Sequence, residues 1–577
     1  MREDRFRETS KRVRRHRQNY LPVLVAVVLI VIVLGVSLAN GLFDDFLPSG
    51  SNKEADLNSV FGITSPSEAA IIYNKELLGE KGLAVNGAVF LPMSMANDLN
   101  DIFYYDRFEN RLFATTASAV NEASPSEFVL NGETVFVSPD FIKKFANFSY
   151  TTAMNPTRIF LQTVWGQKNT AKASKKAVLR SAESSKADVV KKLDEGETVE
   201  IVSSNTAYSR CITQDDLIGF VDNKYLEDHA QIVETPVMEV PPIAYPSPPM
   251  QGNVVLGWHN VTNDTANSML SDAISRTHGM NVICPTWFSL SDSSGSISSI
   301  ASQSYVEEAH AAGLKVWGLL DNFSVDNTVT GEILAHTSTR LNVENNIVNL
   351  ALQYGLDGIN IDFEQLPSDS GSDFAQFLRE LSIICHSHNL VLSSDNYVPK
   401  EYTNHYRRDI QGKVCDYIII MGYDEHTSNS NEAGSVASIE FVTEGIVNTL
   451  KDVPAEKVIN GIPFYTRSWA MENGVLSSTV LSMADAKTFL ADKGVSAAWD
   501  DVTCQNYASF DKNGVTYSIW LEDAQSISAK LSVMKNNNLA GVACWRLLME
   551  TTDIWDVINA YFPTANAESS AVLTEGQ

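Results

Sequence analysis

From residue 252 to about 563 short apolar runs alternate with helical stretches. The runs are Val254–Trp258, Val282–Trp287, Lys315–Leu320, Gly358–Phe363, Leu390–Ser394, Tyr417–Met421, Val458–Pro463 and Gly541–Trp545. Each is short, rich in β-branched residues and nearly continuous in its apolar character, as strands buried on both faces are. Eight such runs separated by helical text predict an α/β fold, a (β/α)8 TIM barrel. One spacing is too long for a single helix and predicts a small α+β insertion at about 471–519, between the seventh strand and its helix.

The text before residue 252 differs. Residues 41–75 are small and polar, with Pro-Ser-Gly-Ser-Asn and Ser-Pro-Ser clusters, and read as a linker. Short apolar and aromatic runs between turn residues (Phe90–Pro92, Phe103–Tyr105, Arg111–Ala114, Glu133–Val137) fill 76–165. This segment resembles the small α+β domain found at the start of some copper amine oxidases and reused as a stalk in bacterial surface proteins, which implies a spacer. Residues 170–230 read as a compact all-β unit: Ala177–Ser181 opens it, Gly196–Val202 follows a turn and Leu217–Val221 closes it. Its Leu-Arg-Ser entry and Gly-Phe-Val exit resemble a bacterial SH3 domain. Domains of that kind often bind cell-wall peptides; a spacer without ligand is the alternative. The proline-rich segment 231–251 predicts a semi-rigid extended spacer.

Leu21–Ala39 is almost continuously apolar, close to the ~20 residues that cross a bilayer as a helix. Residues 1–19 carry a net +5, and Asp44 and Asp45 follow the span. The positive-inside rule then predicts a cytoplasmic basic tail (1–19), one transmembrane helix (20–40) and an exported remainder. A secretory signal cleaved after Ser37-Leu38-Ala39 is the alternative; the long basic region and long apolar run favour the anchor. The net charge of the 577 residues is −27, which argues against nucleic-acid binding. The six cysteines form no C-x-x-C pair and have no histidine at metal-ligand spacing, so neither a metal site nor a cofactor is expected.

The fourth run ends in polar side chains. Alternation along a strand puts Asn360, Asp362 and Glu364 on one face and Ile359, Ile361 and Phe363 on the other. Two carboxyls and an amide are costly on the face of an apolar strand unless they are paired or working. A carboxyl in such a setting has its pKa raised, which suits a general acid.

The stretch Asp357-Gly358-Ile359-Asn360-Ile361-Asp362-Phe363-Glu364 resembles the Asp-x-x-Asp-x-Asp-x-Glu motif of the family 18 glycoside hydrolases, in the branch of bacterial spore-cortex and cell-wall enzymes, where Asn at the second position is usual. The resemblance implies that Glu364 protonates the leaving glycosidic oxygen. It also implies substrate-assisted catalysis, in which the carbonyl oxygen of the sugar's 2-acetamido group is the nucleophile. Asp362 would orient that group, and Tyr423, in Met421-Gly422-Tyr423-Asp424, would hold its carbonyl. Trp545 would floor the sugar site. Asp357, Asn360, Asp424, Trp258, Tyr465 and Arg467 are further substrate-binding candidates, with Trp287 and Trp520 for neighbouring subsites. Asn360 cannot carry the charge of the family's usual Asp, which should lower the pKa of Asp362.

These readings predict a membrane-anchored, extracellular retaining hydrolase. Its partner would be a β-1,4-linked N-acetylglucosamine-containing glycan, peptidoglycan ahead of chitin. A non-hydrolytic glycan-binding protein on the same barrel is the rival; such family members usually lose the acid that Glu364 retains. A tail at 564–577 closes the chain.

Overall fold

The computed structural model describes residues 50–565 and Val31. The basic tail, the rest of the apolar span Leu21–Ala39 and residues 566–577 lie outside the described residues. Among the described residues no helix is long and apolar enough to cross a membrane. The chain divides into two compact units, one of 50–90 with 147–238 and one of 91–146 with 239–565.

In the first unit, Glu68–Tyr73 pairs in parallel with Arg158–Gln162 and antiparallel with Glu76–Val85. A second, antiparallel sheet of seven strands runs from Gln167 to Val233. The expected linker 41–75 is corrected here. Ala69, Ala70, Ile71 and Ile72 are fully buried, and Ala70 and Ile72 share a core with Leu179, Val199 and Val221. The flanking Ser and Pro residues conceal in the sequence a strand whose partner lies about ninety residues on.

The second unit contains the barrel. Its strands are β1 (Val254–His259), β2 (Val282–Pro285), β3 (Lys315–Asp321), β4 (Gly358–Asp362), β5 (Val391–Tyr397), β6 (Tyr417–Met421), β7 (Val458–Pro463) and β8 (Gly541–Trp545). Each pairs in parallel with the next, and β8 pairs with β1, closing the barrel. Three of its helices matter below: α1 (Asn327–Ala335), α2 (Thr337–Tyr354) and α3 (Gly371–Ser387). The insertion is a five-stranded antiparallel sheet with one helix; it starts at Tyr465 and ends at Leu521, wider than 471–519. Its first strand follows Pro463 almost at once, so hydropathy alone does not separate it from β7. In the proline-rich segment Tyr245 and Met250 pack against the barrel core.

Residues 91–146 form a lobe on the barrel's α2 and α3 rather than a free spacer. Its Asp106 carboxylate accepts from the Thr337 amide and hydroxyl, both at 2.6 Å, and so caps the start of α2. Tyr104 donates to Asp373 at 2.8 Å, and the fully buried Arg340 donates to Tyr104 at 3.1 Å and to Glu380 at 2.9 Å. Gln376 bridges Thr115 of the lobe and Glu380 of α3, at 2.8 Å to each.

Candidate active site

The site is built at the carboxyl ends of the strands, where barrel enzymes carry their chemistry. In the register of β4 with its neighbours, Asp362 lies opposite Asp321 of β3. The β4–β5 register pairs Asn360 with Ser393, so continuing it by two residues puts Asp395 beside Asp362. Register partners in parallel strands point to the same face. Three carboxyls therefore share one layer of the barrel interior. Below them Asn360 donates to Ser393 at 3.0 Å and to Asp395 at 2.8 Å, and above them Tyr397 donates to Glu364 at 2.6 Å. The Glu364 backbone is pinned by Asn322, whose side chain accepts from the Glu364 amide at 2.9 Å and donates to its carbonyl at 3.0 Å.

Burial is the largest influence on these acids. It raises Asp362 well above the usual carboxylate range, and Asp395, Glu364 and Asp321 push it the same way. Burial also raises Glu364, against the Tyr397 hydrogen bond that favours its charge; Asp424 and Asp321 add to the rise. Asp395 is pushed up to about 8, mainly by burial and against the hydrogen bond from Asn360. Glu364 is half-buried and opens on a cleft of about 150 Å³. A carboxyl whose proton affinity is raised at the mouth of a cleft suits a general acid.

The cleft floor is aromatic. Tyr423 and Trp545 lie nearly parallel, with ring centroids 6.5 Å apart, and Trp258 meets both edge-on. Gly461 on β7 makes room for Tyr423: an added Cβ would lie 2.9 Å from its ring. Burial raises the Tyr423 hydroxyl far above its usual range, so it stays a neutral donor. Trp545 is partly exposed and lines the cleft, whereas Trp258 is buried and donates to Asn360 at 3.3 Å. Trp258 therefore orients the amide beneath the cleft. Phe323, 61% exposed, stands at the rim. A larger hollow of about 500 Å³ in the first unit, bordered by Asp56 and Pro156, has no comparable layer of buried carboxyls, and the chemistry belongs to the smaller cleft.

The structure thus brings Glu364, Asp362, Asn360, Tyr423, Asp424, Trp545 and Trp258 together. Tyr465 is buried beside them, its hydroxyl donating to Asp424, which makes it a support for Asp424. Asp357 is elsewhere. It precedes β4 at the opposite end of the barrel, about 16 Å along the strand from Asp362 at ~3.3 Å per residue. There it binds Lys315 and His310 at 2.8 Å each and accepts from the Val316 amide. Arg467 reaches Ser478 within the inserted sheet and does not line the cleft. Trp287 is buried on Asn267, and Trp520 packs on Tyr507 of the insertion. Asp321, Asp395 and Tyr397 are additions. They continue the alternation of their strands past Leu320 and Ser394, where the apolar runs stop.

Residues 328–550 match the family Glycosyl hydrolases family 18. An uncharacterized glycosylase, YvbX, of Bacillus subtilis (strain 168) is 23% identical over 312 residues, 52% of this chain and 88% of the relative. The cortical fragment-lytic enzyme of the same organism is 27% identical over 244 residues, 40% of this chain and 56% of the relative, so the match spans about half of that protein. The crystal structure of the Bacillus cereus spore cortex-lytic enzyme SleL shares the fold, with a TM-score of 0.51 at 19% identity over 59% of this chain and 78% of that one. Residues 328–550 thus form a family 18 glycosyl hydrolase domain, and the barrel that contains them is a glycoside hydrolase.

Proposed function

We propose that this protein hydrolyses β-1,4 bonds of N-acetylglucosamine-containing glycans with retention, and that peptidoglycan is its substrate ahead of chitin. The observation that carries the reading is the Glu364 carboxyl, held at 2.6 Å by Tyr397 over the floor of Tyr423 and Trp545. Its raised proton affinity suits protonation of a leaving glycosidic oxygen, and an indole face suits a pyranose. Asp362 would then orient the 2-acetamido group, whose oxygen attacks the anomeric carbon, and Tyr423 would donate to that group. Spore-cortex relatives and the apolar span Leu21–Ala39 support a wall-facing, membrane-anchored enzyme, with the all-β sheet Gln167–Val233 as a wall-peptide module. Asp424, fixed by Tyr465, would bind a sugar hydroxyl.

The test is to incubate the full chain with purified peptidoglycan and with chitin oligosaccharides and to identify the products by mass. The full chain is needed because residues 252–577 alone would lose the Asp106 cap on α2 and the Tyr104 contact with Arg340. Products ending in reducing N-acetylglucosamine, and inhibition by thiazolines shaped like the cyclic intermediate, are expected. A sugar ester trapped on Asp362 would overturn the substrate-assisted route; tight glycan binding without products would favour the non-hydrolytic rival.

A further inference from the structure

Asp424 lines the cleft with a left-handed backbone, φ 60°. A residue with a Cβ keeps that conformation where its surroundings hold it. Loop 422–438 folds back on itself to do so. The Glu425 amide donates to the Val436 carbonyl at 3.0 Å, and the Glu425 carboxylate accepts from the amide and the hydroxyl of Ser438 at 2.7 and 3.0 Å. Gly434 makes room for the His426 ring, which an added Cβ would meet at 2.4 Å. The end of the loop thus fixes its start, beside Asp424.

The insertion fixes the end of the loop. Trp469 donates to the Gly434 carbonyl at 2.8 Å, the Ile439 amide donates to the Thr503 carbonyl at 3.0 Å, and Ser435 donates to Gln505. Behind Gln505 lie Glu522 and Lys530, and all four side chains from Ser435 to Lys530 are buried. The proton directions follow from the far end of this chain of bonds. Lys530 can only donate, at 3.0 Å to Glu522. Burial pushes Glu522 up to about 6, against Lys530 and Ser526, so at neutral pH it is ionised and can only accept. The amide nitrogen of Gln505 must then face Glu522, at 2.8 Å, and its oxygen must face Ser435. The Ser435 hydroxyl points its proton at Gln505 and accepts from the Ala437 amide at 2.9 Å. Apolar side chains would join the insertion to the barrel without the desolvation cost of an ion pair. A directional chain sets where the loop lies.

We infer that Gln505 is a positioning residue for Asp424: through Ser435 it holds loop 422–438 so that the Asp424 carboxylate meets the glycan. The inference rests on the reading that Asp424 binds a sugar hydroxyl.

The test is a double-mutant cycle in the full chain. Gln505→Leu, or the milder Ser435→Ala, is placed in the parent and in Asp424→Gly, which keeps the left-handed backbone and has no carboxylate to place. In the parent either change should lower kcat/KM on the cleaved glycan about 10-fold, the size of one lost hydrogen bond, divided between kcat and KM as in Asp424→Gly. In Asp424→Gly either should alter it less than about 2-fold. Where Asp424→Gly leaves no turnover, the same cycle is read as the Kd of that glycan. Equal losses in both backgrounds, as a merely structural joint would give, overturn the inference, and so does parental activity of either folded single variant. If Gln505→Leu does not fold, Ser435→Ala decides alone. Amide hydrogen exchange needs no substrate. It should quicken in loop 422–438 of the variants and stay parental in β4 and β5; parental exchange in the loop also overturns the inference. Quickened loop exchange in the variants, with a parent inactive on every glycan, would sink the glycan reading and leave the hold on Asp424 standing.

Discussion

The barrel holds two buried acidic clusters, and they are built on opposite principles. Between α2 and α3, Glu380 and Asp373 meet the Arg340 guanidinium, the Tyr104 hydroxyl and the Gln376 amide, while Asp106 and Glu109 meet the first amides of α2. A cation and oriented N–H groups keep charge there affordable. Two acids depart from this: Glu344 is raised by burial and by the neighbouring Glu380, and Asp373 is raised by burial against the Tyr104 hydrogen bond. In the cleft burial acts most strongly on Asp362, and Asp395, Glu364 and Asp321 push it the same way. The donors there, Asn360, Tyr397 and Ser289, do not outweigh burial, and the proton affinity of the acids stays raised. The first arrangement anchors a lobe. The second keeps proton affinity high, as the proposed acid catalysis requires, at a cost in stability.

Three substitutions test this contrast. Glu364→Gln is nearly isosteric and cannot donate a proton. Turnover of an unactivated glycan should fall about 10²–10⁴-fold with the melting temperature unchanged. Parental turnover by the folded variant would remove Glu364 from the mechanism. Arg340→Met should do the reverse. It leaves Glu380 buried without its cation, and losing one partner of a buried pair costs about 3–5 kcal/mol, read as a lower denaturant midpoint. An unchanged midpoint would show that the anchor cluster does not depend on its cation. Tyr397→Phe is milder. The hydroxyl favours the charged form of Glu364, so its loss raises the proton affinity of the acid further and should move the alkaline limb of kcat/KM to higher pH. A limb that moves down would mean that Glu364 does not carry that proton.

The sequence made one cluster visible and hid the other. Asn360, Asp362 and Glu364 stand out because period-two alternation interrupts an apolar run. The same parity excludes Asp357 from their face, since an odd position cannot share a strand face with even ones; only its place in the motif drew it in. Asp321, Asp395 and Tyr397 escaped because an apolar run marks where a strand is buried, and these polar residues begin where the run ends. Local text holds no trace of the Asp106 to Thr337 bond, which joins residues 231 positions apart. A lobe read from its own strands looks like a spacer, because what it packs against lies elsewhere in the chain.

The last two effects should carry opposite signs, which makes them the sharpest comparison. Burial alone would raise Asp106, but the hydrogen bonds from Thr337 and the backbone amides of Glu109 and Phe108 outweigh it and hold its pKa below the usual value. A depressed folded pKa contributes stability that is complete above the unfolded value, ~3.9, and is lost as pH falls through the folded one. Asp106→Asn should therefore cost about 1 kcal/mol at neutral pH, the worth of a charged cap, and its deficit should shrink below about pH 4. Asp395 is the mirror case. Its folded pKa is raised to about 8, so the parent loses stability as pH climbs from the unfolded value toward the folded one. Asp395→Asn has no proton to hold, and it should melt above the parent at pH 8 and approach it near pH 4. Thermal melts of the three proteins across pH 3–9 would decide this. Parallel curves would mean that the anchor and the cleft treat charge alike, and a stabilised Asp106→Asn or a destabilised Asp395→Asn at pH 8 would reverse the roles assigned to the two clusters.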